Sequence, residues 1–264
     1  RFYCANAVLG DKIILDQAQS NHLKNVLRLK VGSTVEVFNS RNESYIAEIA
    51  SISPKGPVEL KILSLITPQH SALHTEFIPP LAGHSPLPGI TLACAIAKGS
   101  RMDWLVEKAA EIGLARLIPI ITEHTVVKPD AASKNKINRW HKLAVAAAKQ
   151  TGQNSILTID NPIPLRQLEN IIRDFSLSLI AVPNADKYLP EVLEQDNLSE
   201  KTKILYLIGP EGDFTKAEIT TAIKWGVQPV RLPVNSILRV ETAALTMLVM
   251  LLYHFTINAS VKET

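Results

Sequence analysis

Cysteine is scarce in this chain of 264 residues: there are two, Cys4 and Cys94. They form no CxxC pair and are too few for a disulfide framework, so a reduced, cytoplasmic protein is expected. No GxGxxG follows a strand, which excludes a Rossmann dinucleotide site or a Rossmann-type cofactor loop. There is no GxxxxGK[ST] phosphate loop and no GxSxG nucleophile elbow. The longest apolar run, Ala243 to Phe255, falls short of the roughly 20 residues a membrane span needs and reads as a buried helix. Arg1-Phe2-Tyr3-Cys4 lacks the charged-then-apolar order of a signal peptide. No metal site is expected. His70 and His74 are four apart, but no helix holds them in a proline-rich stretch, and zinc needs three or four convergent ligands. Glu107 and Glu111 share a helix face with Lys108 between them and read as surface charge. Internal repeats and low-complexity segments are absent.

Net charge is also small, at +3, so nucleic-acid binding has to be judged from where the charge lies. Between Lys98 and Asn154 ten basic residues face five acids. That surplus suits a phosphate-binding face and equally a solvated helix surface. Apolar residues make up 46% and charged ones 20%, enough to bury a core.

Three regions follow from the patterning. Residues 1–67 alternate short Val-, Ile- and Tyr-rich runs with one helical stretch, Ala18–Leu29, which suggests a small barrel with a helix. Residues 68–89 hold Pro68, Pro79, Pro80, Pro86 and Pro88, read as an extended linker. Residues 90–264 alternate apolar strands with helices, the mark of an α/β domain with a mainly parallel sheet. Within it Thr215, with Glu218 three residues on, has the form of a capping box.

Two stretches carry chemical information. Ile208-Gly209-Pro210-Glu211-Gly212-Asp213-Phe214 lies between an apolar strand and that capped helix. Its glycines allow close backbone approach and the helix start offers N–H groups, as a ligand loop needs; an ordinary tight turn has the same pattern. Leu232 to Ala244 runs from a strand end into the last helix, with Arg239 and Glu241 set among apolar residues. Charges so placed need a ligand or each other.

Taken together these stretches resemble the RsmE family of SPOUT methyltransferases. The family pattern is Ile-Gly-Pro-Glu-Gly-Gly-Phe, then Leu-Gly-x-x-Ile-Leu-Arg-x-Glu-Thr-Ala. Lys98-Gly99-Ser100-Arg101-Met102-Asp103-Trp104, Ala147-Ala148-Lys149-Gln150-Thr151-Gly152-Gln153 and His22-Leu23-x-x-Val26-Leu27-Arg28 match further family segments in order. The resemblance spans nearly the whole chain. It implies a PUA-like β-barrel RNA-binding domain followed by a SPOUT domain with a deep trefoil knot, working as a homodimer in the cytoplasm. It implies S-adenosyl-L-methionine as cofactor and N3 of a uridine in small-subunit (16S) ribosomal RNA, free or in the assembled subunit, as target. A SPOUT enzyme with another RNA target and a non-catalytic RNA-binding assembly protein are the alternatives.

Carried over residue by residue, the cofactor site would be Val182, Pro183, Ile208, Gly209, Pro210, Glu211, Gly212, Leu232, Ile237, Leu238, Thr242 and Ala243. Arg239 and Glu211 would be the catalytic pair. Arg28, Lys98, Arg101 and Lys149 would contact RNA phosphates, which position but do not read sequence. Trp104 fits a core position better than a base-stacking one. Two departures from the pattern bear on the pocket: Asp213 stands where the family has glycine, and so does Pro233. Proline has no N–H and cannot take positive φ.

Overall fold

The computed structural model describes residues 1–41, 43–54, 56–66, 89–125, 133–153, 155–195, 198 and 202–261. The proline-rich stretch 68–88, with His70 and His74, lies outside them. The chain divides into two compact units, Arg1–Ala82 with Ala148–Ile156, and Gly83–Ala147 with Leu157–Thr264.

The first unit is built on a five-stranded mixed sheet. Its strands are β1 (Phe2–Tyr3), β2 (Lys12–Ile14), β3 (Thr34–Phe38), β4 (Ser44–Ile52) and β5 (Val58–Ile66), in the order β1-β3-β4-β5-β2. Register shifts at Ile46/Ala47 and Ile49/Ser51 mark irregularities in the β4–β5 ladder. Such bulges bend and twist a sheet, which lets this one curl around Phe2, Leu15, Leu23, Val37, Ile49 and Leu60. The helical stretch anticipated at 18–29 is present but not uniform. Helix α1 (Gln17–Asn21), capped by Asp16, passes into a π-helical turn, His22–Leu27, which ends at Arg28 with φ 51°. Periodicity placed this helix; it could not show the wider turn.

The second unit is a parallel sheet. Strands β6 (Ile90–Ala95), β7 (Arg116–Ile121), β8 (Thr158–Ile159), β9 (Ile163–Pro164), β10 (Leu177–Ala181), β11 (Ile204–Ile208) and β12 (Gln228–Val230) run in the order β12-β10-β11-β6-β7-β8, with β9 also on β7. Strands β6 and β11 are buried along their whole length, as a sheet covered on both faces requires. The helices are α2 (Arg101–Ile112), α3 (Ser133–Thr151, whose residues from Ala148 onward fall in the first unit), α4 (Glu169–Ile172, continuing a 3₁₀ turn Leu165–Leu168), α5 (Leu189–Gln195), α6 (Lys216–Lys224) and α7 (Val240–Val261). Capping of α6 is as the sequence indicates: Thr215 Oγ1 accepts from the Glu218 N–H, and the Glu218 carboxylate accepts from the Thr215 N–H. Tyr206, fully buried on β11, donates its hydroxyl to the Ala244 carbonyl at 3.1 Å and ties α7 to the sheet. Among the described residues, no helix is long and apolar enough to cross a membrane.

Candidate active site

Strands β12, β10 and β11 are neighbours and parallel, so their carboxyl ends emerge side by side. In open parallel sheets that is where ligands bind. A cavity of about 580 Å³ lies there, lined by Ala181 to Pro183 at the end of β10, Ile208 to Glu211 and Asp213 at the end of β11, and Arg231, Leu232 and Val234 to Val240 after β12, with Ala243 on α7. Its size is that of a site for a small organic cofactor.

The two glycines of the β11 loop serve close approach, not unusual φ. A Cβ on Gly209 would stand 3.0 Å from the Phe214 ring, itself part of the core. One on Gly212 would stand 3.2 Å from His124 Cβ. Positive φ falls instead on Asp213, at 60°. Aspartate is among the few side chains that tolerate this conformation. Here its Oδ1 accepts from the Phe214 N–H at 2.8 Å, and its own N–H donates to the Pro210 carbonyl at 2.9 Å. The loop thus reaches the left-handed geometry without glycine. At the other departure, the Val234 N–H donates to the Leu232 carbonyl at 2.8 Å, closing a three-residue turn centred on Pro233. Such turns take a negative central φ close to that of proline.

His124 clamps the loop from outside. Its Nδ1 lies 2.9 Å from the Gly212 carbonyl and 3.0 Å from that of Asp213, so Nδ1 carries the proton. Hydrogen bonds to the Asp213 and Gly212 carbonyls raise its pKa above the ordinary histidine value. Glu218 adds a second brace, accepting from the Glu123 N–H at 2.9 Å. Because Thr215 and Glu218 satisfy each other, those donors of the α6 N-terminus serve its own cap, contrary to the expectation that they face a ligand.

Charge is distributed unevenly around the cavity. The Glu211 carboxylate pairs with Arg101 at 3.0 Å and is 3.5 Å from the Lys98 N–H, so one expected catalytic residue and one expected phosphate contact neutralise each other. Arg239 is exposed. The Arg239–Glu241 pair considered from sequence does not form among the described residues; Glu241 is buried in the first turn of α7 with Oε2 unpartnered. Arg231 stacks its guanidinium 3.8 Å above the Tyr188 ring.

The cavity gathers Val182, Pro183, Ile208, Gly209, Pro210, Glu211, Leu232, Ile237, Leu238, Arg239 and Ala243; Gly212 and Thr242 do not line it. Sequence reasoning missed Tyr188, Arg231 and Asn235 on its wall. Arg231 immediately precedes the Leu232 motif, which was the available signal. Lys98 is exposed beside Arg101. Arg28 and Lys149 belong to the first unit. Arg28 is exposed, whereas Lys149 is partly buried, donates to Gln19 Oε1 at 2.7 Å and has its pKa lowered by desolvation. Trp104, expected in the core, is 47% exposed; the buried face of α2 is formed by Met102, Leu105, Val106 and Ala109 instead. Lys108 bridges Glu107 and Glu111 at 2.9 and 2.7 Å, a surface charge cluster. Both cysteines are free. Burial pushes the Cys4 thiol up to about 11 and raises that of Cys94 further, so neither is a ready nucleophile. Among the described residues no group of acids, histidines and cysteines is placed to hold a metal.

Residues 84–252 match the RNA methyltransferase domain model, and residues 15–63 match the RNA methyltransferase PUA domain. The chain is 30% identical to ribosomal RNA small subunit methyltransferase E of Synechocystis over 238 residues, 89% of this chain and 71% of that protein. It belongs to the ribosomal RNA small subunit methyltransferase E family. Solved structures agree. The family member of Neisseria gonorrhoeae, bound to S-adenosyl methionine, is 26% identical with TM-score 0.78, covering 96% of this chain and 97% of the other. A methyltransferase of Legionella pneumophila, in complex with the cofactor SAM, is 30% identical with TM-score 0.77, covering 94% and 95%. The expected fold class, a PUA-like barrel followed by a SPOUT domain with a parallel sheet, is therefore that of the family and of this chain.

Proposed function

We propose that the cavity at the ends of β12, β10 and β11 binds S-adenosyl-L-methionine, and that the chain methylates N3 of a uridine in small-subunit (16S) ribosomal RNA. The observation that carries this reading is the convergence of the two motif-bearing loops, 208–213 and 231–243, on one cavity of cofactor size. The residues fit the group. Ile208, Leu232, Ile237 and Leu238 offer apolar walls for a purine, and Arg231, Glu211 and Asp213 supply charges of both signs for a zwitterionic tail. When bound, the cofactor supplies a methyl group already activated on a sulfonium.

The protein's part is positioning and charge. The braced loops fix the cavity floor before any ligand arrives, which favours an in-line arrangement. Uridine N3 must lose its proton to become nucleophilic. Arg239, exposed at the cavity rim, is the cation that favours the N3 anion when the base is presented there. Glu211, held by Arg101, keeps the loop in register and orients that face. Lys98 and Arg101 on the second unit, and Arg28 and Lys149 on the first, are the phosphate contacts in this reading. Residues 1–67 form the RNA-binding domain, 68–89 the linker and 90–264 the methyltransferase domain. The chain works as a cytoplasmic homodimer; Val249 and Tyr253, exposed on α7, offer an apolar face for it.

The test is methyl transfer to small ribosomal subunits from a strain lacking the modification, with nucleosides identified by mass spectrometry. Appearance of 3-methyluridine only with the protein is the expected result. A different methylated nucleoside overturns the uridine assignment, and no methylation together with no cofactor binding by calorimetry overturns the enzymatic reading.

A further inference from the structure

Arg231 is the least explained charged group in the cavity wall. Its backbone is fixed on both sides: its N–H donates to the Lys187 carbonyl at 3.0 Å, and its carbonyl accepts from the Leu189 N–H at 3.0 Å. These bonds hold the bridge between Tyr188 and Arg231. The guanidinium lies 3.8 Å above the Tyr188 ring, which fixes its plane. Yet its side chain makes no hydrogen bond and no ion pair among the described residues; its Nε is shut away from solvent, which leaves the two terminal nitrogens as the donors a ligand in the cavity can reach. An arginine that merely latched the Tyr188 loop would use its donors on a carbonyl or carboxylate. This one is immobilised and left unmatched.

The rest of the cavity says what would match it. The acids on the wall, Asp213 and the Arg101-paired Glu211, lie on the β11 loop, while both cations on the wall, Arg231 and the exposed Arg239, follow β12. Opposite charges thus come from different elements. A ligand with a cationic group and one anionic group is complementary to that division. S-adenosylmethionine carries two cationic groups, sulfonium and ammonium, and a single anion, the carboxylate. A planar guanidinium held by stacking is the group suited to a carboxylate, which it grips through two parallel N–H donors.

We propose that Arg231, held by Tyr188, is the carboxylate-binding residue for the methionine end of the cofactor. The assignment rests on the reading of the cavity as a cofactor site. Arg231 acts by binding and orienting that tail.

Calorimetry on the intact chain tests it with two ligands that differ only in the carboxylate, S-adenosylmethionine and its decarboxylated form. The unaltered protein should bind the decarboxylated ligand ~10–100-fold more weakly, the range for losing a charge-assisted pair. In Arg231→Leu the parent ligand should weaken by that factor and the decarboxylated one should not, so the discrimination vanishes. Arg231→Lys keeps the cation without the fork and should retain part of it, which serves as the test if Arg231→Leu does not fold. Equal weakening of both ligands would make Arg231 a shaper of the cavity and overturn the assignment. Unchanged discrimination in both variants would place the carboxylate elsewhere. If the unaltered protein binds neither ligand, the cofactor reading itself fails and takes this assignment with it.

Discussion

Asp213 is the residue at which the loop's geometry and its chemistry can be separated. It sits at φ 60° without being glycine, and its Oδ1 holds the Phe214 N–H at 2.8 Å. Replacing it by alanine keeps a Cβ in the left-handed region and removes the acceptor. Left-handed φ costs an ordinary L-residue ~1–2 kcal/mol relative to glycine. A partly buried N–H left without a partner costs ~1–3 kcal/mol. Asp213→Gly loses the second contribution but escapes the first, so the two nearly cancel, within ~1 kcal/mol of the parent. Asp213→Asn keeps an acceptor and tolerates the same φ, so it should match the parent. Asp213→Ala should be the least stable, by ~1–3 kcal/mol, or roughly 2–10 °C in thermal melting for a chain of this size. Melting of the four proteins without ligand, followed by cofactor calorimetry, checks the order. If alanine and glycine melt together, left-handed φ exerts no constraint at this position and the account of how the loop dispenses with glycine is wrong.

Arg239→Ala should abolish methyl transfer while cofactor affinity, read by calorimetry, changes by less than about threefold, since the side chain is assigned to the base and not to the cofactor. Retained turnover would remove Arg239 from the chemistry. Tyr206→Phe should cost ~0.5–1.5 kcal/mol in denaturant unfolding, because a buried hydroxyl donating to Ala244 is lost with little change of shape; no change would mean that this bond contributes nothing net. His124 has its pKa raised by folding, so its clamp should contribute fully below the unfolded histidine value, near ~6.5, and fade as pH rises through the higher folded value. A parent-minus-His124→Phe comparison of melting against pH should show that fall, and a flat difference would refute it.

The fold was readable wherever burial alone dictates pattern. Strands β6 and β11 are continuous apolar runs because both faces are covered, and the α6 cap is visible because Thr215 and Glu218 are three residues apart. The π-helical turn at 22–27, the two-residue strands β1, β8 and β9, and α5 escaped because each is too short for periodicity to register. The two motif loops were legible as loops, and the resemblance supplied most of the cavity wall. Tyr188 and Arg231 were not, because what brings them together is a backbone bridge between segments with no spacing signature. Trp104 was misplaced because α2 buries its face through Met102, Leu105 and Val106, leaving the largest side chain outside.

Glu218 has a consequence for how this chain can change over time. One carboxylate closes the start of α6 through Thr215 and, with its other oxygen, holds the Glu123 N–H next to the histidine that grips residues 212 and 213. A substitution there cannot loosen the helix without also releasing the neighbouring turn. Positions 123–124, 212–213 and 215–218 should therefore drift as a set in descendants of this sequence, and a chimera that takes one segment from a distant relative should need the other two from the same source.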